Sequence, residues 1–207
     1  MGTKSWTVFG AGNLINDIHD AIESNHQRLK LIVLNMEGST ELLNKIPPSI
    51  HVISIDHFEP STDHYFFGFI NPNKKPLVES LKKYNLTYSN LVHKFSYVSN
   101  TVEMGQGNFI GAGAVIASHV KLGDFNYINR LSSIGHDTVV SGCNHFGPGC
   151  TVAGRCKIGN KNFFGTGSAV IDGLEIGDDI TIGAGGVVLK SITEKGTYAG
   201  VPIRKIK

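Results

Sequence analysis

The stretch from Val98 to Leu122, VSNTVEMGQGNFIGAGAVIASHVKL, sets a large apolar residue at every sixth position: Val98, Met104, Ile110, Ile116 and Leu122. The register runs on without insertion through Ile128, Ile134, Val140, Phe146, Val152, Ile158, Phe164, Val170, Ile176 and Ile182 to Val188. With 41% of the chain hydrophobic, chance would fill all sixteen places about once in a million per frame. Gly follows the apolar residue at nine of the sixteen, and Ser, Ala or Asn at five more. Two places before it the residue is usually small or Asn, as at Ala114, Ser132, Thr138, Cys150 and Ser168. A period of six is neither helical nor a simple strand alternation. It describes a solenoid in which a short strand and a tight turn recur, the large residue filling the axis and the small one a corner.

Outward from this stretch the composition changes. Of 25 Gly in 207 residues, 18 lie between Val98 and Val188, so the chain has two halves. Only 17% of residues are charged, against about 25% in ordinary soluble domains, which argues against disorder. Uninterrupted apolar runs such as Gly111–Ala117 fall far short of the ~18 residues of a membrane span. A net charge of +2 leaves no electrostatic footprint for nucleic acid. The start, MGTKSWTVFGAG, lacks a signal layout, and Cys143, Cys150 and Cys156 are an odd set, so no disulfide framework is expected. A cytoplasmic protein without nucleic-acid or membrane partners is the expectation.

Residues 1–90 read as a small α/β unit. Trp6–Phe9, Leu29–Leu34, His51–Ile55 and Tyr65–Ile70 read as strands, and Leu14–Ser24 and Pro76–Tyr84 as helices. Gly10-Ala11-Gly12 follows the first strand, where a phosphate can meet a helix N-terminus. Alone this motif is weak, because the third Gly of the full fingerprint is missing.

The repeat resembles that of the hexapeptide-repeat acyltransferases. Their fold, which the resemblance implies here, is a left-handed parallel β-helix with three hexapeptides per coil. With the α/β unit, the whole chain resembles the family of sialic acid O-acetyltransferases and nucleotide-sugar N-acetyltransferases. The matching blocks are Val8–Gly12, Asn90–His93, Ile134–Asp137, His145–Gly149, Ala153-Gly154, Ile182–Gly185 and Ala199–Pro202. The implied fold is an N-terminal Rossmann-like α/β domain plus an all-β left-handed β-helix. Its parts are a nucleotide-sugar-binding unit (1–90), an acyltransferase unit (91–190) and a tail (191–207).

The resemblance implies acetyl-CoA as co-substrate, no metal, and a homotrimer with the site between subunits. It makes His136 the general base, oriented by Asp137. His145 is placed at the thioester of acetyl-CoA, with Gly154, Thr166 and Ala184 beside the cofactor. Gly10, Gly12, Asn13, Leu14, Asn35 and Asn71 correspond to the nucleotide-sugar positions.

The lattice tests this independently. Neither His136 nor His145 occupies an axial place, so both belong on the outer face or at a corner. Stacking i over i+18 sets His119 beneath Asp137, and His145 between Tyr127 and Phe163. The spacing of Cys143, His145 and Cys150 matches no standard zinc pattern. His19, His26, His57 and His64 read as surface residues. Arg204–Lys207 reads equally as a contact for the 3′-phosphate of CoA and as a solvated end.

Three departures from the family pattern bear on the acceptor. Asn13-Leu14 replaces a Gly-His pair, Asn35 stands at a usually acidic position, and Asn71-Pro72-Asn73 replaces Gly-Asn-Asn. The expected activity is N-acetylation of a dTDP- or UDP-linked 4-amino-4,6-dideoxy sugar for bacterial glycan (lipopolysaccharide or glycoprotein) synthesis. O-acetylation of a sialic acid and a non-catalytic binding solenoid are the alternatives.

Overall fold

The computed structural model describes residues 3–10, 12, 14–34, 47–69 and 75–207. The chain divides into two compact units, Met1–Lys94 and Phe95–Lys207.

In the first unit, β1 (Ser5–Phe9), β2 (Arg28–Leu34), β3 (His51–Ser54) and β4 (His64–Phe67) form a sheet in the order β3-β2-β1-β4. All three pairings are parallel, as the strand–helix alternation suggests. Helix α1 (Ile15–Ser24) buries Ile15, Ile18, Ala21 and Ile22, the one-sided spacing of an amphipathic helix. Helix α2 (Lys75–Leu81) ends in a 3-10 turn, Lys82–Tyr84, where Asn85 adopts a left-handed conformation. Phe9 packs edge-on to Phe58 at 5.1 Å, and Phe67 stacks on Tyr88 at 4.8 Å, giving this unit an aromatic core.

The second unit is a parallel β-solenoid of the left-handed type. Its first face stacks Tyr97–Val98, Val115–Ile116, Ser133–Ile134, Thr151–Val152, Ala169–Val170 and Val187–Val188. The second stacks Glu103–Met104, Lys121–Leu122, Val139–Val140, Lys157–Ile158 and Glu175–Ile176. Phe109–Ile110, Tyr127–Ile128, His145–Phe146, Phe163–Phe164 and Ile180–Ile182 lie in the third. Most pairings join i to i+18, as in Ser133↔Thr151 and Val139↔Lys157. The tail is part of this sheet: Gly196–Gly200 pairs with Ile180–Ile182 and folds back on Ile203–Lys205.

The sixteen axial residues fill the prism. From Ile110 to Val188 all are buried, Ile110, Ile128, Phe146 and Phe164 completely; Val98 and Met104, in the first coil, are half-buried. Each corner carries a left-handed residue in successive coils, for example His119, Asp137, Arg155 and Gly173. Its N–H donates to a carbonyl one coil back, as Asp137 does to Ser118 at 3.0 Å.

One corner is lined inside by Asn108, Asn126, Asn144 and Asn162, each at most 1% exposed. The Oδ1 of each accepts the backbone N–H 18 residues on, at 2.8 Å from Asn126, 3.0 Å from Asn144, 2.9 Å from Asn162 and 2.7 Å from Ile180. The places read as small-residue slots are here a hydrogen-bonded ladder. Cys150 and Cys156 occupy other inward corners as free, buried thiols, and burial pushes Cys150 up to about 11.

Candidate functional site

His136 and Asp137 leave the first face at its corner with the second. The corner is tight: a Cβ on Gly135 would lie 2.5 Å from the backbone of Ala153 and Gly154, so only Gly lets the coils close. Just inside, Thr138 is buried, donating to the Ala153 carbonyl at 3.2 Å and accepting from the Cys156 N–H at 3.2 Å. The bend therefore turns His136 and Asp137 outward, half exposed at 50% and 54% of their side chains.

Nδ1 of His136 lies 2.7 Å from Oδ2 of Asp137. The hydrogen bond from His136 holds the Asp137 carboxyl below the usual carboxylate range; desolvation opposes it, and the charges of His136, His119 and Arg155 reinforce it. An ionised carboxylate only accepts, so Nδ1 carries the hydrogen, and in the neutral ring Nε2 presents a lone pair. Gly154 lies against the imidazole: a Cβ there would be 2.7 Å from Nε2 and 2.9 Å from Cε1. The ring is thus held at Nδ1 by Asp137 and on one side by Gly154. This arrangement can accept a proton at Nε2 and stabilise the resulting imidazolium.

His119 stands at the same corner one coil before Asp137, as the register indicates. Arg155 stands one coil after it and pairs with Asp172. No motif marks Arg155, although its place 18 residues beyond Asp137 is legible in the register.

His145 differs from an open outer-face residue. Its strand position is off the axis, but the residue is only 6% exposed. It lies between Tyr127, at 5.5 Å between centroids, and Phe163, at 4.8 Å, nearly parallel to both. Phe109 continues the stack beyond Tyr127 at 4.3 Å. Aromatic residues 18 apart bury one another, an effect of cross-coil contact that a single hexapeptide does not display. Thr166 and Ala184 are exposed and occupy the same corner, between the third and first faces, in successive coils. Within one chain, then, His136, Asp137 and Gly154 come together, while Thr166 and Ala184 border the opposite edge of the first face. His145 belongs to the third.

Of the nucleotide-sugar candidates, Asn13, Asn35 and Asn71 lie outside the described residues. Gly10 has a φ of +84°, and a Cβ on it would meet Phe69 at 2.7 Å; its N–H donates to Val33. Gly12 donates to the Gly68 carbonyl at 3.1 Å and accepts from the Ile15 N–H. Leu14 is the N-cap of α1 and makes no side-chain capping bond. Among the described residues no group of three or more His, Cys, Asp or Glu is placed to hold a metal. No described helix is long and apolar enough to cross a membrane.

No family model matches the chain, and no curated protein matches it significantly. Solved structures do. The acetyltransferase domain of PglB from Neisseria gonorrhoeae FA1090, in complex with acetyl coenzyme A, superposes with a TM-score of 0.87 at 22% identity. That match covers 99% of this chain and 100% of that one. PerB from Caulobacter crescentus, in complex with CoA and GDP-perosamine, gives 0.87 at 23% identity over 100% and 98% of the two chains. WeeI from Acinetobacter baumannii AYE gives 0.86 at 23% over 99% and 100%. The chain shares the fold of these proteins along its whole length.

Proposed function

We propose that the protein is an acetyl-CoA-dependent N-acetyltransferase acting on a nucleotide-linked 4-amino-4,6-dideoxy sugar, in the cytoplasm, for bacterial glycan synthesis. The observation that carries this reading is the exposed His136 imidazole, bonded at Nδ1 to Asp137 and seated on Gly154. The fold shared with an acetyltransferase domain bound to acetyl-CoA, and with PerB bound to CoA and a nucleotide sugar, supports it.

The sugar amine attacks the thioester carbonyl, giving a tetrahedral intermediate. His136 Nε2 takes the proton from the nitrogen as the C–N bond forms. Collapse expels the CoA thiolate, which receives that proton, leaving amide and thiol. A free amine is already nucleophilic, so binding both substrates side by side supplies more of the acceleration than the base.

The cofactor would lie along His145, Gly154, Thr166 and Ala184, and the nucleotide in a Rossmann-like unit (1–90) around Gly10, Gly12, Asn13, Leu14, Asn35 and Asn71. Residues 91–190 would be the acyltransferase unit. A homotrimer is supported by the exposed apolar groups on and beside the first face, among them Tyr97 (61%), Leu131 (70%) and Leu189 (46%). Packing there would bring the His136 edge of one subunit toward the Thr166 edge of the next. Sedimentation should give a trimer, and a monomer would sink the shared site.

The test is thiol release from acetyl-CoA with dTDP-, UDP- and GDP-linked 4-amino-4,6-dideoxy sugars, 3-amino analogues and free sialic acid. Rapid release with one 4-amino sugar nucleotide is expected. Release with sialic acid alone would move the assignment to O-acetylation, and silence across the panel would favour a binding solenoid.

Gly154→Ala is expected to lower kcat about tenfold with the fold retained, because the new methyl must push the imidazole aside. Unchanged kcat, with circular dichroism matching the parent, would show that the ring does not need this seat.

A further inference from the structure

Resting on the reading of the chain as an acetyl-CoA-dependent enzyme, we propose that the exposed ring of Phe163 is a stacking platform for the adenine of the acyl donor, which lies on it over Thr181. The outward side chains of the third face stand in one column, Phe109, Tyr127, His145 and Phe163, each paired with the next across adjacent strands. Their rings are stacked at 4.3, 5.5 and 4.8 Å between centroids, within 17° of parallel. The coil spacing therefore sets flat rings face to face along the solenoid.

The column stops short. Phe109, Tyr127 and His145 are buried, whereas Phe163 is 41% exposed. Among the described residues no ring follows it, since the next two places on the sheet are Thr181 and Thr197. Thr181 lies between the buried Ile180 and Ile182, so its side chain points outward as the rings do. Threonine is too short to cover the face of a benzene ring. Beyond Phe163 the surface is thus a flat apolar face beside a hydroxyl that can donate or accept. A planar heterocycle would continue the column at its own spacing, with its π face on Phe163 and a polar edge at the Thr181 hydroxyl.

Position along the coil favours the donor as its source. Phe163 and Thr181 precede Thr166 and Ala184 by three residues each, at most about 10 Å of chain. Thr166 and Ala184 are the edge along which the cofactor would lie, so the adenine need only turn that corner onto the third face.

The experiment compares acetyl-CoA with S-acetylpantetheine, which lacks the adenine nucleotide, in the parent, Phe163→Ala, Phe163→Leu and Phe163→Tyr. In Phe163→Ala the ratio of kcat/KM for acetyl-CoA to that for S-acetylpantetheine is expected to fall about tenfold. Phe163→Leu should fall likewise, and Phe163→Tyr should keep the parental ratio. A purely structural effect, passed through the stack to His145, would lower both donors together and leave the ratio unchanged; that result overturns the proposal. So does a fall in Phe163→Ala confined to the KM of the nucleotide sugar. If Phe163→Ala does not fold, Phe163→Leu carries the test. Absence of acetyl transfer in the parent would overturn the enzymatic reading instead, and calorimetric titration with adenosine 3′,5′-bisphosphate would then decide the site. Binding by the parent that weakens about tenfold in Phe163→Leu supports it, and equal or absent binding overturns it.

Discussion

Replacing His136 by Asn is expected to lower kcat about 100-fold for an amino-sugar acceptor, with the melting temperature unchanged. Asparagine retains a polar group of similar reach but cannot take a proton near neutral pH. The side chain is half exposed, so no buried group is orphaned and the fold should be indifferent. The loss sits at the low end of general-base effects because an amine attacks without prior deprotonation. A hydroxyl acceptor would depend far more on the base, and a loss of 10³ to 10⁴ would then be expected. Kinetics with both acceptor types measures the difference. Activity equal to the parent with an amino sugar would remove His136 from the mechanism.

The second large effect falls on stability. Asn144→Leu is expected to destabilise the solenoid by about 3 kcal/mol, two buried groups losing partners at 1–3 kcal/mol each. Its Oδ1 accepts the Asn162 N–H at 2.9 Å, and its Nδ2 donates to the Gly159 carbonyl at 2.9 Å. Leucine fills the space but satisfies neither group. In thermal denaturation followed by circular dichroism this corresponds to a fall of about 10 °C. Lys121→Ala is the contrast: its partner Glu103 is exposed, so the 3.3 Å pair is worth at most about 0.5 kcal/mol. Equal melting temperatures for Asn144→Leu and the parent would mean that the ladder is not what holds this corner.

The ladder also shows where reading the sequence stops. Asn126, Asn144 and Asn162 are visible as small or polar residues two places before the axis. That each amide bonds the next is a property of coils already stacked. Likewise β1 to β4 are legible from alternation and turn residues, whereas their order, β3-β2-β1-β4, comes from which strands pair. His145 is legible as off-axis, and its burial is not, because Tyr127 and Phe163 cover it from neighbouring coils.

The three corners, and with them the place of His136-Asp137 a coil from His119, came with the resemblance to the hexapeptide-repeat acyltransferases, while the sequence by itself determined the solenoid's axis and its register. It could do so because a period of six is local arithmetic, repeated sixteen times, and each repeat states the same preference for one large residue inside. Only the tertiary structure decided how the dyad is held. The 2.7 Å contact between Nδ1 and Asp137 and the Gly154 seat depend on which rotamers survive once coils close to strand spacing. The groups concerned lie 18 residues apart or at a left-handed turn, and steric exclusion between stacked coils selects among them in a way no single repeat encodes.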